Sequence, residues 1–222
     1  MSVRGLFVTG TDTGVGKTVV ACAIVRGLRA QGIDVGVIKP IETGVGPEGP
    51  LDAIALREAA GCEDPIEEVC PQRFRLPAAP TVAAEAEGRS VDSAAIRGAF
   101  ERIRARHECV VAEGAGGLLV PAAEGICMAD LARDFGLPLV LVARAALGTI
   151  NHTLLSLEAA AARGLDIAGV VISHAEKLSP ADEANLEALR RGLGSGLLAE
   201  LPPLAEGEKP ELDLLQRAPL LC

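Results

Sequence analysis

The chain has 222 residues, 49% of them apolar and 23% charged, which is the composition of a globular domain rather than of a disordered segment. A net charge of −9, with four Phe and neither Tyr nor Trp, speaks against a nucleic-acid surface, which needs clustered Lys and Arg and rings on which bases stack. The opening apolar run Val3 to Val8 is too short for a signal peptide or a membrane span, and Cys22, Cys62, Cys70, Cys109, Cys127 and Cys222 never form C-x-x-C, so a reducing cytoplasm fits better than a disulfide framework.

From there apolar runs alternate with helical patterns. Gly5 to Thr9 reads as a buried strand entering a glycine-rich loop, and Thr18 to Ala30 as a helix stopped by Gly32. Asp34 to Ile38 is a second strand ended by Lys39-Pro40, Leu51 to Ala60 a helix closed by Gly61, 65–80 a proline-rich loop, and Asp92 to Arg106 a helix. Cys109 to Ala112 is a strand ending in Glu113 and a glycine turn. Ala129 to Phe135 is a helix, Leu139 to Val142 a strand, Thr149 to Arg163 a helix, Ile167 to Ile172 a strand, Pro180 to Arg191 a helix and Leu197 to Leu201 a last strand. The tail from Ala205, AEGEKPELD, is polar and reads as loosely held. Strands written as continuous β-branched runs, with helices between them, predict a parallel α/β sheet covered on both faces. Ligands of such sheets sit beyond the carboxyl ends of the strands, which singles out the glycine loop, Lys39, Glu113, Ala143-Arg144, Ser173 and Pro202.

Residues 8–18, VTGTDTGVGKT, carry the strongest signal. Gly14-Val15-Gly16-Lys17-Thr18 lies between a strand and a helix. In that context backbone N–H groups hold phosphate oxygens, the lysine neutralises the outer phosphates and the threonine hydroxyl ligates Mg²⁺. Such a loop ordinarily opens on glycine; here that position is Thr11, with Gly10 one place too early. Magnesium needs further hard oxygen ligands. Glu113 closes its apolar run as the acidic residue of a Walker B strand does, the alternative being a surface glutamate. Asp52 stands where an aspartate is often only a helix N-cap. Lys39 suits phosphoryl transfer, which rests mostly on positioning and charge neutralisation, although taken alone a solvated lysine is the better reading. His107, His152 and His174 are scattered, and a structural role is the simpler reading of His152.

In order from residue 8 to about 204, GTDTGVGKT, KPIETG, LDAIAL, VVAEGAGGLLVP, LGTINH and ELPPL resemble dethiobiotin synthetase. The resemblance implies a P-loop NTPase-like mononucleotide-binding fold, α/β with a mostly parallel sheet flanked by helices, in one domain over 1–222 that works as a homodimer. It implies a cyclo-ligase that uses ATP and Mg²⁺ to join 7,8-diaminononanoate and CO₂ into dethiobiotin, with no nucleic-acid or membrane partner. The implied route runs through a carbamate and a mixed carbamic–phosphoric anhydride and releases ADP and phosphate. Carried over by position, Lys17 and Lys39 act on the phosphoryl group, and Thr18, Asp52 and Glu113 hold the metal. Gly14, Val15, Gly16, Lys17, Thr18, Val19, Asp52, Glu113, Gly114, Ala115, Gly116, Ser173, Pro202, Pro203 and Leu204 form the nucleotide site. Thr11, Thr43 and Asn151 face the substrate, Asn151 partly across the dimer interface at a helix N-terminus that suits an anion. The hydroxyl of Thr11 then has a use that glycine lacks, a hydrogen bond to the carbamate or amine.

Two rival readings remain. A cobyrinate diamide synthase-type ligase carries an added glutaminase domain, for which the chain leaves no room. A nucleotide-switch ATPase of the partition type carries a lysine at the position of Asp12, which reverses the charge. The chain departs from the resembled pattern at Ser173, commonly an adenine-reading Asn; at Asn185, often Tyr; and at Gly14, acidic in some members.

Overall fold

The structure, a computed structural model, describes residues 5–174, 178–205 and 207–214. In chain order the elements are β1 (Gly5–Gly10), α1 (Lys17–Ala30), β2 (Val35–Ile38), β3 (Ile41–Thr43), α2 (Leu51–Ala60), α3 (Ile66–Val69), β4 (Gln72–Phe74), α4 (Pro80–Ala86) and α5 (Ser93–Arg106). There follow β5 (Cys109–Gly117), β6 (Pro121–Ala123), β7 (Ile126–Cys127), α6 (Met128–Phe135), β8 (Leu139–Arg144), α7 (Thr149–Ala161), β9 (Ile167–Ser173), α8 (Pro180–Leu193) and β10 (Leu197–Leu201). Six strands form one sheet in the order β10-β9-β8-β1-β5-β2, every neighbouring pair parallel.

The period-two geometry of a strand sends Leu6 and Val8 to one face and Phe7 to the other. On the first face they meet Val20, Ile24 and Leu28 of α1 and Leu56 of α2. On the second, Phe7 lies 6.2 Å from Phe135 of α6, whose ring stacks on Phe100 of α5 at 4.0 Å. Three of the chain's four aromatic side chains thus anchor one layer of helices. Since β1 is covered on both faces, it reads as a continuous apolar run.

Residues 65–80 are more ordered than their prolines imply. They hold the single turn α3, and β4, which pairs in parallel with β3 through Ile41↔Gln72 and Thr43↔Phe74. Elements of three or four residues are too short to display a period, so the pattern could not show them. Likewise β5 runs on to Gly117, and Glu113 sits inside it, paired with Val8, rather than at a terminal turn.

The tail also differs from expectation. The Leu212 N–H donates to the Ala23 carbonyl, Arg26 donates to the Pro210 carbonyl, and Leu214 is 1% exposed in the α1 core. Gly27 makes this docking possible: a Cβ there would stand 2.1 Å from the Leu212 oxygen. Apolar Leu212 and Leu214, scattered among charges, were the only sequence trace of it.

Candidate active site

The loop between β1 and α1 turns through Gly14 and Gly16, both with positive φ, of 72° and 93°. Gly16 is the N-cap of α1 and offers no capping side chain, so the first-turn N–H groups face the loop. A phosphate is the natural partner of such groups. Lys17 is folded over the loop, its Nζ donating to the Asp12 carbonyl at 2.9 Å. Burial lowers its pKa, and the neighbouring Lys39 charge lowers it further, so an arriving anion would be well matched.

Beside the loop, side chains from the first turns of α1 and α2, from the end of β2 and from within β5 converge. The Thr18 hydroxyl lies 2.9 Å from both Asp52 Oδ1 and Glu113 Oε1. Lys39 Nζ is 2.5 Å from Glu113 Oε1 and 2.8 Å from Asp52 Oδ2. Lys39 is therefore not the solvated lysine it resembles in isolation: its side chain is 3% exposed, and that of Glu113 is 0% exposed. Burial by itself would lower the Lys39 pKa; the charges and hydrogen bonds of Glu113 and Asp52 reverse the sign and hold it raised, so it is cationic. Burial holds the Glu113 carboxyl above its ordinary value, and the Lys39 charge offsets this only in part. We take the pair as ionised, because Lys39 has two carboxylate partners and Thr18 donates a further bond.

Asp52 is not the N-cap of α2. That position is Pro50, and the first-turn amides of Asp52 and Ala53 donate to Glu42 Oε1 and Oε2 at 3.1 and 3.0 Å. Glu42, 7% exposed, thus caps α2 from a distance and leaves the Asp52 side chain free to meet Thr18 and Lys39. The sequence reading missed Glu42, since a cap supplied ten residues upstream leaves no local spacing signal.

These groups line a cleft of about 600 Å³. Its polar wall is Gly14, Gly16, Lys17, Thr18, Lys39, Glu42, Asp52 and Glu113, and its other side is Ile41, Thr43, Pro77, Ala78, Ala79, Pro80, Ala115, Gly116 and Val120. The segment 77–80 was read as loop and carried no expected role. Thr13, not Thr11, belongs to this wall. The Thr11 amide donates to the Val142 carbonyl and keeps that residue in the strand ladder, whereas the Asp12 carboxylate turns the loop by accepting the Thr13 amide at 2.7 Å. Gly114 stands behind the wall, its carbonyl 3.4 Å from Lys39 Nζ.

A second cleft of about 250 Å³ opens on the other side of the loop, lined by Gly14, Val15, Gly16, Val19, Arg144, Ser173, His174, Leu201, Pro202 and Leu204. Pro203 is exposed and does not line it. Asn151, in the first turn of α7, is exposed and lines neither cleft; His152 beside it is exposed, not a core histidine.

The donor set fits magnesium. Thr18, Asp52 and Glu113 supply hard oxygens, and Glu113 Oε2 is buried with no hydrogen-bond partner, an acceptor that a cation would satisfy. Among the described residues no group of three or more His, Cys, Asp or Glu side chains could hold a metal.

Comparison with known proteins agrees with this geometry. A family model described as an AAA domain matches residues 4–211. The ATP-dependent dethiobiotin synthetase BioD of Anaeromyxobacter dehalogenans (strain 2CP-C) is 52% identical over 83% of this chain and 81% of its own length. The protein of the same name from Aromatoleum aromaticum is 39% identical over 97% and 98% respectively. Among solved structures, the MinC:MinD cell division protein complex of Aquifex aeolicus superposes with a TM-score of 0.57 at 12% identity, over 92% of this chain and 83% of that one. A ParA family ATPase from Chlorobium tepidum TLS gives 0.55 at 13%, over 98% and 91%. At such identities these two establish the fold alone.

Proposed function

We infer the chemistry from one premise: the chain belongs to the ATP-dependent dethiobiotin synthetase family. It is a ligase of biotin biosynthesis that forms dethiobiotin at the expense of ATP. We read residues 1–222 as one domain that takes 7,8-diaminononanoate, CO₂ and Mg-ATP. The ATP phosphates lie over Gly14 to Thr18, the base enters the smaller cleft, and the diamine lies in the larger one. The aliphatic chain of the diamine suits the side made by Ile41, Pro77, Ala78, Pro80 and Val120.

One amine takes up CO₂ as a carbamate and loses a proton. A carbamate oxygen attacks the γ-phosphorus and ADP leaves; the second amine then attacks the carbamoyl carbon, closes the ring and expels phosphate. Lys17 and Lys39 bring two positive charges to the transferred group, where neutralisation and alignment supply most of the acceleration. Thr43, half-buried on the cleft wall, can donate to the carbamate, with Thr13 as a second candidate in place of Thr11. Thr18, Asp52 and Glu113 would hold a magnesium ion, which when bound would supply further charge neutralisation at the phosphates.

The chain acts as a homodimer on this reading. Leu147, Leu154 and Leu155 are exposed on and beside α7, the helix that carries Asn151, so the same face would bring Asn151 to the partner's substrate carboxylate. No helix among the described residues is long and apolar enough to cross a membrane. On the family reading we assign the protein to the cytoplasm.

One observation carries the proposal: two lysines, a hydroxyl and two carboxylates converge between a phosphate loop and an apolar cleft. The test is phosphate release from Mg-ATP, with dethiobiotin followed by mass spectrometry. Release should require the diamine and bicarbonate together; steady hydrolysis without the diamine would favour a switch ATPase.

A further inference from the structure

We propose that Arg144 sets the nucleobase preference, favouring bases that present two adjacent acceptors, so that GTP and CTP serve beside ATP. This rests on the reading of the smaller cleft as the base site. Arg144 ends β8 in register with Ser173, and the following amide, Ala145 N–H, donates to the Ser173 carbonyl at 3.0 Å. The two residues therefore stand side by side at the carboxyl edge and both line the cleft.

The side chains of Val15, Val19, Pro202 and Leu204 offer a base apolar contact. Three polar side chains remain among the described lining residues. The Ser173 hydroxyl is wedged against the loop, 2.4 Å from where a Cβ on Gly16 would stand, and is too short to span a base edge. The His174 ring is engaged with Glu200 at 3.2 Å, and Glu200 is itself held by Arg190 through bonds of 2.6 and 2.8 Å. The Arg144 guanidinium, exposed at the mouth, has neither carboxylate nor carbonyl partner among the described residues. In a chain of net charge −9 it is a cation left open beside a pocket.

A guanidinium is a fork of donors with no acceptor. It pairs with the O6 and N7 acceptors of guanine, and the O2 and N3 of cytosine offer a similar pair. Adenine sets its amino donor between N1 and N7, and uracil sets N3–H between its carbonyls, so neither presents two adjacent acceptors on that edge. Adenine still binds through its apolar faces, which keeps ATP a substrate.

The test measures equilibrium binding of ATP, GTP, CTP and UTP in Mg²⁺, and dethiobiotin formation with each, for the parent and for Arg144→Met and Arg144→Lys. We expect the GTP-to-ATP and CTP-to-ATP ratios of affinity and of kcat/KM to fall about tenfold in Arg144→Met. Arg144→Lys should resemble it, since an ammonium cannot fork. Unchanged ratios, or an equal loss for all four nucleotides, would overturn the proposal; the latter would assign Arg144 to phosphate or ribose. If no nucleotide supports dethiobiotin formation, the functional reading fails, while the binding ratios still decide the role of Arg144.

Discussion

Replacing Lys39 by methionine removes one charge and keeps most of the volume. The native ammonium sits 2.5 Å from Glu113 Oε1, with Glu113 0% exposed and its second oxygen already without a partner. Removing one member of a buried ion pair costs about 3–5 kcal/mol, because the other charge is stranded. The Asp52 contact adds little, since that side chain is 40% exposed and partly screened. For a chain of this length each kcal/mol moves the melting temperature by about 2–4 °C, so the variant should melt roughly 6–20 °C lower. Turnover should fall at least about a hundredfold, as it does when a single group that stabilises developing charge is lost. The double variant Lys39→Met, Glu113→Gln separates the two effects. It should regain most of the melting temperature, since the charge left on Asp52 is 40% exposed and no buried charge is stranded, and none of the turnover. Calorimetry of the nucleotide-free protein together with a product assay reads both quantities. A single variant that melts within 2 °C of the parent would show that this pair is not a buried ion pair, and the account of the resting site would be wrong.

Asp52→Asn should raise the half-saturating Mg²⁺ concentration about tenfold or more in the product assay; an unchanged magnesium curve would remove Asp52 from the metal. Gly27→Ala sets helix propensity against docking: alanine ordinarily gains about 1 kcal/mol in a helix interior. Here its Cβ meets a backbone oxygen at 2.1 Å and would dislodge the strap that buries Leu214. Burying such a leucine stabilises by about 1.5–3 kcal/mol, so the variant should be less stable and its 207–214 segment cut faster by protease, and a more stable variant would refute the docking. Glu200 has a lowered pKa, chiefly through its Arg190 hydrogen bonds. Its contribution is then complete above the ordinary glutamate value of 4.5 and is lost as pH falls through the lower native value. Glu200→Gln should therefore have a lower urea midpoint at neutral pH and a gap to the parent that closes toward pH 3; a gap independent of pH would mean the pairing is not electrostatic. Leu154→Glu with Leu155→Glu should sediment as a monomer and lose turnover, and a persisting dimer would move the interface off α7.

What the sequence revealed and what it hid follow one division. Strands covered on both faces write themselves as uninterrupted apolar runs, so the order of β1, β2, β5, β8, β9 and β10 was legible, as were the groups at their carboxyl ends. Lys17, Thr18, Lys39 and Glu113 all belong to that set, and the structure brings them together. Hidden were contributions from pieces too short to show a period. Strand β3, held in place by its pairing with β4, and segment 77–80 stand on the far wall of the cleft, yet each is only three or four residues long. Spacing puts Thr11 at the opening of the loop but does not show that its amide still belongs to the β1–β8 ladder.

Burial was the other hidden quantity, and it reverses the weight of Lys39 and Asp52. By spacing alone, Lys39 is a surface lysine and Asp52 a helix cap. The deciding residue is Glu42, which no motif count singles out. By taking both first-turn amides of α2, it does the capping that Asp52 would otherwise do. Asp52 can then turn to Thr18 and Lys39, and Lys39, now with two carboxylates, can be buried as a cation. The placement of Asp52 beside Thr18 and Lys39 thus depends on a carboxylate from a neighbouring strand. The motif KPIETG therefore supplies Lys39 to the paired carboxylates, Thr43 to the cleft wall, and Glu42 to free Asp52.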